Sequence, residues 1–282
     1  MKPNPVDIIK YSGEQVKFSE KKLRHSLKKT GADPDTIEQV IRTVTDELYP
    51  GITTKEIYNR AYGLLKKEKR HLASRYKLKK AIYELGPSGF PFEQFISAIL
   101  SASGYNTQTN QILQGACVDH EIDVLAQKNN HTTIIECKFH GEQGLKCNVK
   151  IPLYIQARYQ DIQSHWDKHP HNTRNLTEGW VVTNTKFTED AQRYGHCAGL
   201  YLLSWDHPKG HSLKDRIDRL GLYPITVSSL LTNREKQFLL DRNLVLCRTL
   251  KEHAFYLDHL GVSETRQQRI FQEIDSLCQN QS

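Results

Sequence analysis

Two carboxylates and a lysine lie in two neighbouring apolar segments near the middle of the chain. Asp123 is in residues 122–126, and Glu136 and Lys138 are two apart in residues 133–139. Both segments alternate like half-buried strands and a short polar stretch separates them, which predicts a β-hairpin. Because side chains on a strand alternate with a period of two, Glu136 and Lys138 share one face. Antiparallel pairing could bring Asp123 beside Glu136.

These three side chains could catalyse metal-assisted hydrolysis of a phosphodiester bond. Two carboxylates at one point need a cation to offset their repulsion, and they offer the hard oxygen ligands that Mg²⁺ or Mn²⁺ takes. A bound cation polarises a phosphate and helps to ionise an attacking water, while a neighbouring lysine stabilises the developing negative charge. The alternative is an ordinary hairpin with exposed carboxylates and a solvated lysine.

The residues that surround Asp123, Glu136 and Lys138 resemble those of a known protein family. The lead-in GACVDHEIDVLA and the ECK that follows resemble the PD-(D/E)xK nuclease motif, most closely its Mrr-type branch. The resemblance implies that Asp123, Glu136 and Lys138 are catalytic. It also implies that Asp123 and Glu136 hold the metal ion together with the backbone carbonyl of Cys137. In Mrr-type nucleases an acidic residue on a helix like FEQFISAILSASGY can join the active site; here it is Glu93, whose alternative role is to favour the helix N-terminus.

The middle of the chain, residues 87–210, predicts an α/β domain. A breaker-rich stretch, GPSGFP, precedes it, and the patterns then run helix, hairpin, helix, strand, helix, strand, which predicts a mixed sheet flanked by helices. The phrase GWVVTNTKFTEDAQRYGHCAGLYLLSW resembles the closing half of an Mrr-type domain. A helix predicted at residues 153–166 carries Gln156, which matches a glutamine of such relatives, although its spacing is unusual.

The N-terminal segment, residues 1–86, is basic and mainly helical. Residues 1–90 hold 19 Lys and Arg against 11 Asp and Glu, which accounts for the net charge of +7 of the whole chain. Basic surfaces attract polyphosphates and nucleic acid, although a solvated helical surface has the same composition.

Three pieces of this segment, IIKYSGEQVKFSEKKLRHSL, GITTKEIYNRA and ASRYKLKKAI, resemble the ATP-cone, a regulatory nucleotide-binding domain. The resemblance implies that ATP or dATP binds here. Lys10 and Lys22 would contact the phosphates, and Thr54 and the turn containing Tyr11 and Gly13 would complete the site. The family usually has an arginine where Tyr11 stands, which removes one phosphate contact. The alternative is a helical adaptor that has lost its ligand.

The remaining residues, 211–282, predict a small helical module. Their pattern resembles helix-hairpin-helix or sterile-alpha-like packing, which leaves DNA binding, protein interaction and completion of the core as alternatives. No apolar run approaches the ~20 residues that span a bilayer. We therefore expect no membrane association, a cytoplasmic location and reduced cysteines.

Together these features predict a metal-dependent endonuclease acting on double-stranded DNA and regulated by ATP or dATP. Restriction of foreign DNA is the role that the resemblance implies, and a homo-oligomer is expected. The chain has no P-loop, G-x-x-x-x-G-K-[ST], for ATP hydrolysis. The alternative is a non-enzymatic, nucleotide-sensing DNA-binding regulator.

Overall fold

The computed structural model describes residues 6–168 and 175–279, and the α/β class with helical ends is confirmed. The N-terminal unit has a three-stranded sheet in the order β2-β1-β3. Its strands are β1 (Asp7–Ile9), β2 (Gln15–Lys17) and β3 (Ile52–Thr53). Its helices are α1 (Glu20–Lys28), α2 (Pro34–Asp46), α3 (Thr54–Glu68) and α4 (Arg70–Tyr83).

Side-chain caps explain where the first three helices begin. Ser19, Asp33 and Thr53 each accept a hydrogen bond from a backbone N–H in the first turn of α1, α2 and α3. Such caps satisfy donors that the helix itself leaves unpaired. The cap of α3 immediately precedes Thr54, so the cap fixes the position of that predicted ligand contact.

Helix α4 belongs to two apolar cores. Leu72 and Ala73, near its start, pack in the core of the N-terminal unit. Leu78 and Ala81, further along, pack in the core of the central sheet. One continuous helix therefore connects the two units.

The central unit contains a five-stranded mixed sheet in the order β10-β8-β6-β5-β4. Its strands are β4 (Asn106–Gln114), β5 (Asp119–Lys128), β6 (His131–Lys138), β8 (Asn175–Thr183) and β10 (Tyr201–Leu203). Strands β4, β5 and β6 are antiparallel neighbours, and β6, β8 and β10 are parallel. A separate parallel pair is formed by β7 (Lys146–Cys147) and β9 (Lys186–Phe187). The helices are α5 (Phe90–Ala102), α6 (Lys150–Trp166) and α7 (Glu189–Cys197).

The two faces of the sheet pack on different helices. Ile135 belongs to the same apolar cluster as Phe92 of α5. Its neighbour Ile134 belongs to the cluster that contains Ile162 of α6. The sheet is therefore covered on both sides, which explains why its inner strands are largely apolar.

The structure adds elements that the sequence patterns do not predict. Strand β4, NTQTNQILQ, is mostly uncharged and polar, and its two apolar residues, Ile112 and Leu113, are adjacent, so it lacks the apolar alternation of a half-buried strand. Strand β7 lies between the predicted hairpin and the predicted helix at residues 153–166, where the sequence patterns indicate no strand. Helix α6 begins at Lys150, three residues before the predicted start.

The C-terminal residues form short helices packed against α4. They are α8 (Leu213–Leu220), a 3₁₀ helix (Ile225–Val227), α9 (Asn233–Leu240), a second 3₁₀ helix (Arg248–His253), α10 (Phe255–His259) and α11 (Glu264–Cys278). The carboxyl group of Glu273 accepts hydrogen bonds from the hydroxyl groups of Ser74, Ser228 and Ser229 and from the Ser229 backbone N–H. Within the described ranges, no helix has the length and apolar character needed to cross a membrane.

Candidate functional site

The predicted hairpin is formed by β5 and β6. Its ladder runs from Lys128 opposite His131 to Val124 opposite Ile135. Asn129 lies in the two-residue turn with φ 54°, a backbone conformation that asparagine tolerates better than most residues. Val124 and Ile135 adjoin the two predicted acids, so the register brings Asp123 and Glu136 to the same end of the hairpin.

Strand β5 is distorted at Asp123. Ile122 and Val124 are two apart, yet Ile122 packs in the cluster on the α6 face and Val124 in the cluster on the α5 face. The β4–β5 ladder skips the same position, and on β4 the skipped residue is Asn110, which has φ 53°. The Asp123 carboxylate accepts a hydrogen bond of 2.7 Å from the Cys137 backbone N–H. The distortion therefore turns Asp123 toward β6.

Glu136 forms an ion pair that the sequence patterns did not indicate. Arg158 of α6 donates from Nη1 to Oε2 of Glu136 at 2.6 Å, with side-chain exposures of 12% and 22%. Its Nη2 donates to the backbone carbonyl of Glu121. Arg158 lies 22 residues from Glu136 and on another element, so strand periodicity carries no signal for this contact.

Glu93, on α5, is brought into the same negative environment. Burial, followed by the charges of Asp123 and Glu136, raises the pKa of Glu93 to about 7. Burial and the Asp123 charge raise the pKa of Glu136 to about 7, although Arg158 opposes the shift. Burial also raises the pKa of Asp123, against the effect of the Cys137 N–H. The site thus disfavours the ionised forms of all three carboxyl groups, mainly through burial.

This donor set fits a hard divalent cation. Asp123 and Glu136 supply carboxylate oxygens, and a cation between them would stabilise the ionised forms that burial disfavours. Across the described residues, no three His, Cys, Asp or Glu side chains are arranged to hold one metal ion. The predicted set needs only two side chains, because Cys137 would contribute its backbone carbonyl.

Lys138 follows at the end of β6 and is exposed. Because side chains alternate along a strand, Lys138 is on the same face as Glu136 and Ile134. Ile134 packs on the α6 face. Its ammonium group makes no hydrogen bond or ion pair with the residues that the structure describes. Lys138 is therefore available to a ligand on the Glu136 side of the strand.

Asp161 of α6 fixes the turn between β4 and β5. Its carboxylate accepts hydrogen bonds from the Cys117 backbone N–H at 2.9 Å and from His120 Nε2 at 2.8 Å. The His120 contact contributes most to lowering the pKa of Asp161 to about 2. A Cβ atom at Gly115 would lie 2.0 Å from Asp161 Oδ2, so the contact requires a glycine there. This clamp positions α6, and with it Arg158, against the hairpin.

Hydrogen bonds from two other side chains support the end of strand β6 at and just after Lys138. The Asn184 side chain accepts a hydrogen bond of 2.9 Å from the His140 N–H and donates one of 2.8 Å to the His140 carbonyl. The Thr183 hydroxyl donates to the Lys138 carbonyl at 2.7 Å. These polar groups of the VVTNT segment hold the end of the strand that carries Glu136 and Lys138.

A second site is a pocket of about 260 Å³ in the N-terminal unit. Lys10, Lys22 and Thr54, three predicted nucleotide contacts, are among its lining residues. Tyr11 is 74% exposed and Gly13 has φ 82°, and neither lines the pocket. The two therefore shape or flank the turn and are not part of the pocket wall.

Tyr58 of α3 also lines this pocket, and the sequence patterns did not single it out. Its ring stacks on Tyr76 of α4 with centroids 5.0 Å apart and an interplanar angle of 13°. Its hydroxyl group is buried and has no hydrogen-bond partner among the described residues. Buried hydroxyl groups are rarely left unpaired, so this atom indicates a polar ligand or water.

Three segments of the chain match known protein families. Residues 6–84 match the ATP cone domain, 86–207 match the restriction endonuclease family, and 223–278 match the family described as AF1548-like, C-terminal. An uncharacterized protein of Archaeoglobus fulgidus is 33% identical over 179 residues, which are 63% of this chain and 97% of the relative. The chain belongs to the AF1548-like family. Its ATP-cone and Mrr-type resemblances are confirmed.

Two solved structures are similar to this family member. The crystal structure of the protein of unknown function AF1548 is 30% identical, with a TM-score of 0.55, and the match covers 68% of this chain and 98% of that one. The MspJI restriction endonuclease in complex with a 27-mer oligonucleotide is 12% identical, with a TM-score of 0.33, covering 75% and 44%. The central unit is therefore a restriction-endonuclease-like domain on the strength of the family match.

The raised pKa values predict how stability changes with pH in the metal-free protein. Glu93 and Glu136 have folded-state pKa values of about 7, above the ~4.3 of an unfolded glutamate. Between these values the folded state binds more protons, so the free energy of unfolding is expected to decrease as pH rises. In thermal unfolding with EDTA, Glu136→Gln should show a smaller decrease than the wild type. Parallel curves would contradict this assignment, and the exposed Glu142→Gln serves as the control.

Proposed function

We propose that this protein is a metal-dependent DNA endonuclease regulated by ATP or dATP. The observation that carries the proposal is the convergence of Asp123 and Glu136 at one end of the hairpin, with Lys138 unpaired on the Glu136 side. The proposed division is a nucleotide-binding unit at residues 1–86, a nuclease domain at 87–210 and a helical module at 211–282. The restriction-endonuclease match of the central unit supports the reaction class.

In this mechanism the carboxylates of Asp123 and Glu136, together with the Cys137 carbonyl, would hold Mg²⁺ or Mn²⁺. Such a cation would supply charge stabilisation at the phosphate and lower the pKa of water. Lys138 orients the attacking water or stabilises the negative charge that develops on the phosphate. Glu93, half-buried beside the pair, adds negative charge that strengthens binding of the cation. Double-stranded DNA is the proposed substrate, and restriction of foreign DNA is the proposed role.

ATP or dATP is the proposed ligand of the N-terminal pocket. Lys10 and Lys22 provide point charges for phosphates, and Tyr58 provides an aromatic face and an unpaired hydroxyl group. Lys10 is ion-paired with Glu14 at 2.8 Å, a contact that a phosphate could replace. A ligand here can regulate the nuclease only if it binds two states of the protein with different affinity. Helix α4, which carries Tyr76 and enters the core of the central sheet, is the element that joins the two units.

Lys22→Ala is expected to weaken ATP binding by about 10-fold or more, because a charge-assisted contact to phosphate is lost. Calorimetric titration of the full chain with ATP measures the change. Lys21→Ala is the matched control, since the neighbouring lysine does not line the pocket. Equal affinities for both variants and the wild type would remove Lys22 from the nucleotide site.

The proposal is tested by incubating supercoiled, linear and methylated DNA with Mg²⁺ or Mn²⁺, with and without ATP and dATP. We expect cleavage that EDTA abolishes and a rate that changes with nucleotide. Nucleotide and DNA binding without cleavage of any substrate would instead favour a non-enzymatic, nucleotide-sensing DNA-binding regulator.

A further inference from the structure

We propose that Arg158 is an internal counter-cation that competes with the divalent metal ion for Glu136 and thereby sets the metal affinity of the site. This inference rests on the proposed nuclease function. It adds a residue on α6 that lies outside the D…ExK motif.

Arg158 is held firmly against the acidic site. Its Nη1 donates to Oε2 of Glu136 at 2.6 Å, and its Nη2 donates to the Glu121 carbonyl. Both ends of its guanidinium fork are thus used on β5 and β6, in a contact that a lysine would not reproduce. The Asp161 clamp on the same helix keeps Arg158 at this position.

The charges around Arg158 explain why a cation is needed there. Burial and then the charge of Asp123 disfavour the ionised form of Glu136, and the charges of Asp123 and Glu136 in turn disfavour that of Glu93. Arg158 counteracts that effect on both Glu136 and Asp123. In the absence of a metal ion, its guanidinium therefore supplies part of the positive charge that the site requires.

A metal ion and the Arg158 guanidinium compete for the negative charge of the Glu136 carboxylate. The guanidinium already occupies Oε2, and two cations a few ångströms apart repel each other strongly in a half-buried site. A divalent cation must therefore break the ion pair or bind against its repulsion. Either cost weakens metal binding relative to a site without Arg158.

The surroundings of Arg158 allow its guanidinium to leave Glu136. Its Nε is buried without a hydrogen-bond partner among the described residues, so the present position does not satisfy the whole group. The ring of Tyr154 lies 5.4 Å from the guanidinium carbon, and this tyrosine is exposed. This cation–π contact is already made in the present position, and the exposed Tyr154 ring can keep holding the guanidinium after it leaves Glu136.

The test is a calorimetric titration of the full chain with Mn²⁺ in the absence of DNA. Arg158→Met is expected to bind Mn²⁺ at least ~10-fold more tightly than the wild type, because a neighbouring positive charge is removed. Arg158→Lys keeps the positive charge but loses the two-point contact, so its Mn²⁺ affinity should lie between those of the wild type and Arg158→Met. Arg193→Met, which removes an exposed arginine of α7, is the matched control for net charge.

Two further variants distinguish a failure of the counter-cation role from a failure of the metal site itself. Thermal unfolding checks that each variant is folded, and Arg158→Gln replaces Arg158→Met if the latter is not. Unchanged or weaker Mn²⁺ binding by the folded neutral variant, with binding still lost in Asp123→Asn, would overturn the counter-cation role alone. Mn²⁺ binding that survives in Asp123→Asn would overturn the metal site, and with it the proposed function.

Discussion

A Lys138→Met variant is expected to cleave DNA at least ~100-fold more slowly than the wild type, without weaker binding of the metal ion. Lys138 makes no ion pair that its loss would break, and its side chain is exposed at the strand end, so the fold should persist. Its proposed task is confined to the water and the phosphate. The loss should therefore fall on the rate at saturating DNA and not on the binding of Mn²⁺.

Lys128→Met is the matched control for this prediction. Lys128 lies at the opposite end of β5, where its ammonium group donates to the Ser103 carbonyl and lies 5.0 Å from the centre of the Tyr105 ring. Both variants lose one positive charge from the same hairpin, so a general weakening of DNA binding would affect them equally. Equal cleavage rates in the two variants would remove Lys138 from the chemistry.

A Glu273→Ala variant is expected to lower the free energy of unfolding by about 3 kcal/mol, because several buried hydrogen-bond donors lose their acceptor. Glu273 is 5% exposed and accepts four hydrogen bonds, three from hydroxyl groups and one from the Ser229 N–H. One of these, from Ser74 of α4 at 2.9 Å, joins the C-terminal module to the helix that the other two units share. Its loss should also loosen the attachment of the module.

Urea unfolding of the full chain measures this effect, with Gln272→Ala as the control. Gln272 precedes Glu273 on α11 but is exposed, so its truncation should change stability by no more than ~0.5 kcal/mol. A similarly small change for Glu273→Ala would show that the four hydrogen bonds contribute little to folding. Cleavage measured on the folded fraction should stay close to that of the wild type, because Glu273 lies outside the nuclease site.

The β5–β6 hairpin and the acids Asp123 and Glu136 can be predicted because the sequence pattern that indicates them involves only neighbouring residues. Strand alternation and a polar turn define β5 and β6, and period-two geometry places Glu136 and Lys138 on one side. Their convergence with Asp123 also depends on a distortion of β5 opposite Asn110, which no alternation pattern indicates. The sequence thus predicts the register more readily than the direction of the Asp123 carboxylate.

Other features escape prediction because they depend on contacts between distant segments. Strand β4 is uncharged and mostly polar, and it is a strand because β5 supplies hydrogen-bond partners along its length. Arg158 resembles any helical arginine until α6 packs against the hairpin. Tyr58 belongs to a pocket whose walls come from several elements, so its unpaired hydroxyl group is visible only in the folded chain.

The central claim is that Asp123 belongs to a metal-dependent nuclease site, and cleavage of supercoiled plasmid in Mg²⁺ tests it most directly. Wild type, Asp123→Asn and Asp119→Asn should be compared, since Asp119 is an exposed acid on the same strand. We predict that Asp123→Asn loses activity by on the order of 1000-fold, while Asp119→Asn cleaves like the wild type. Cleavage by Asp123→Asn at the wild-type rate would contradict the assignment of the active site.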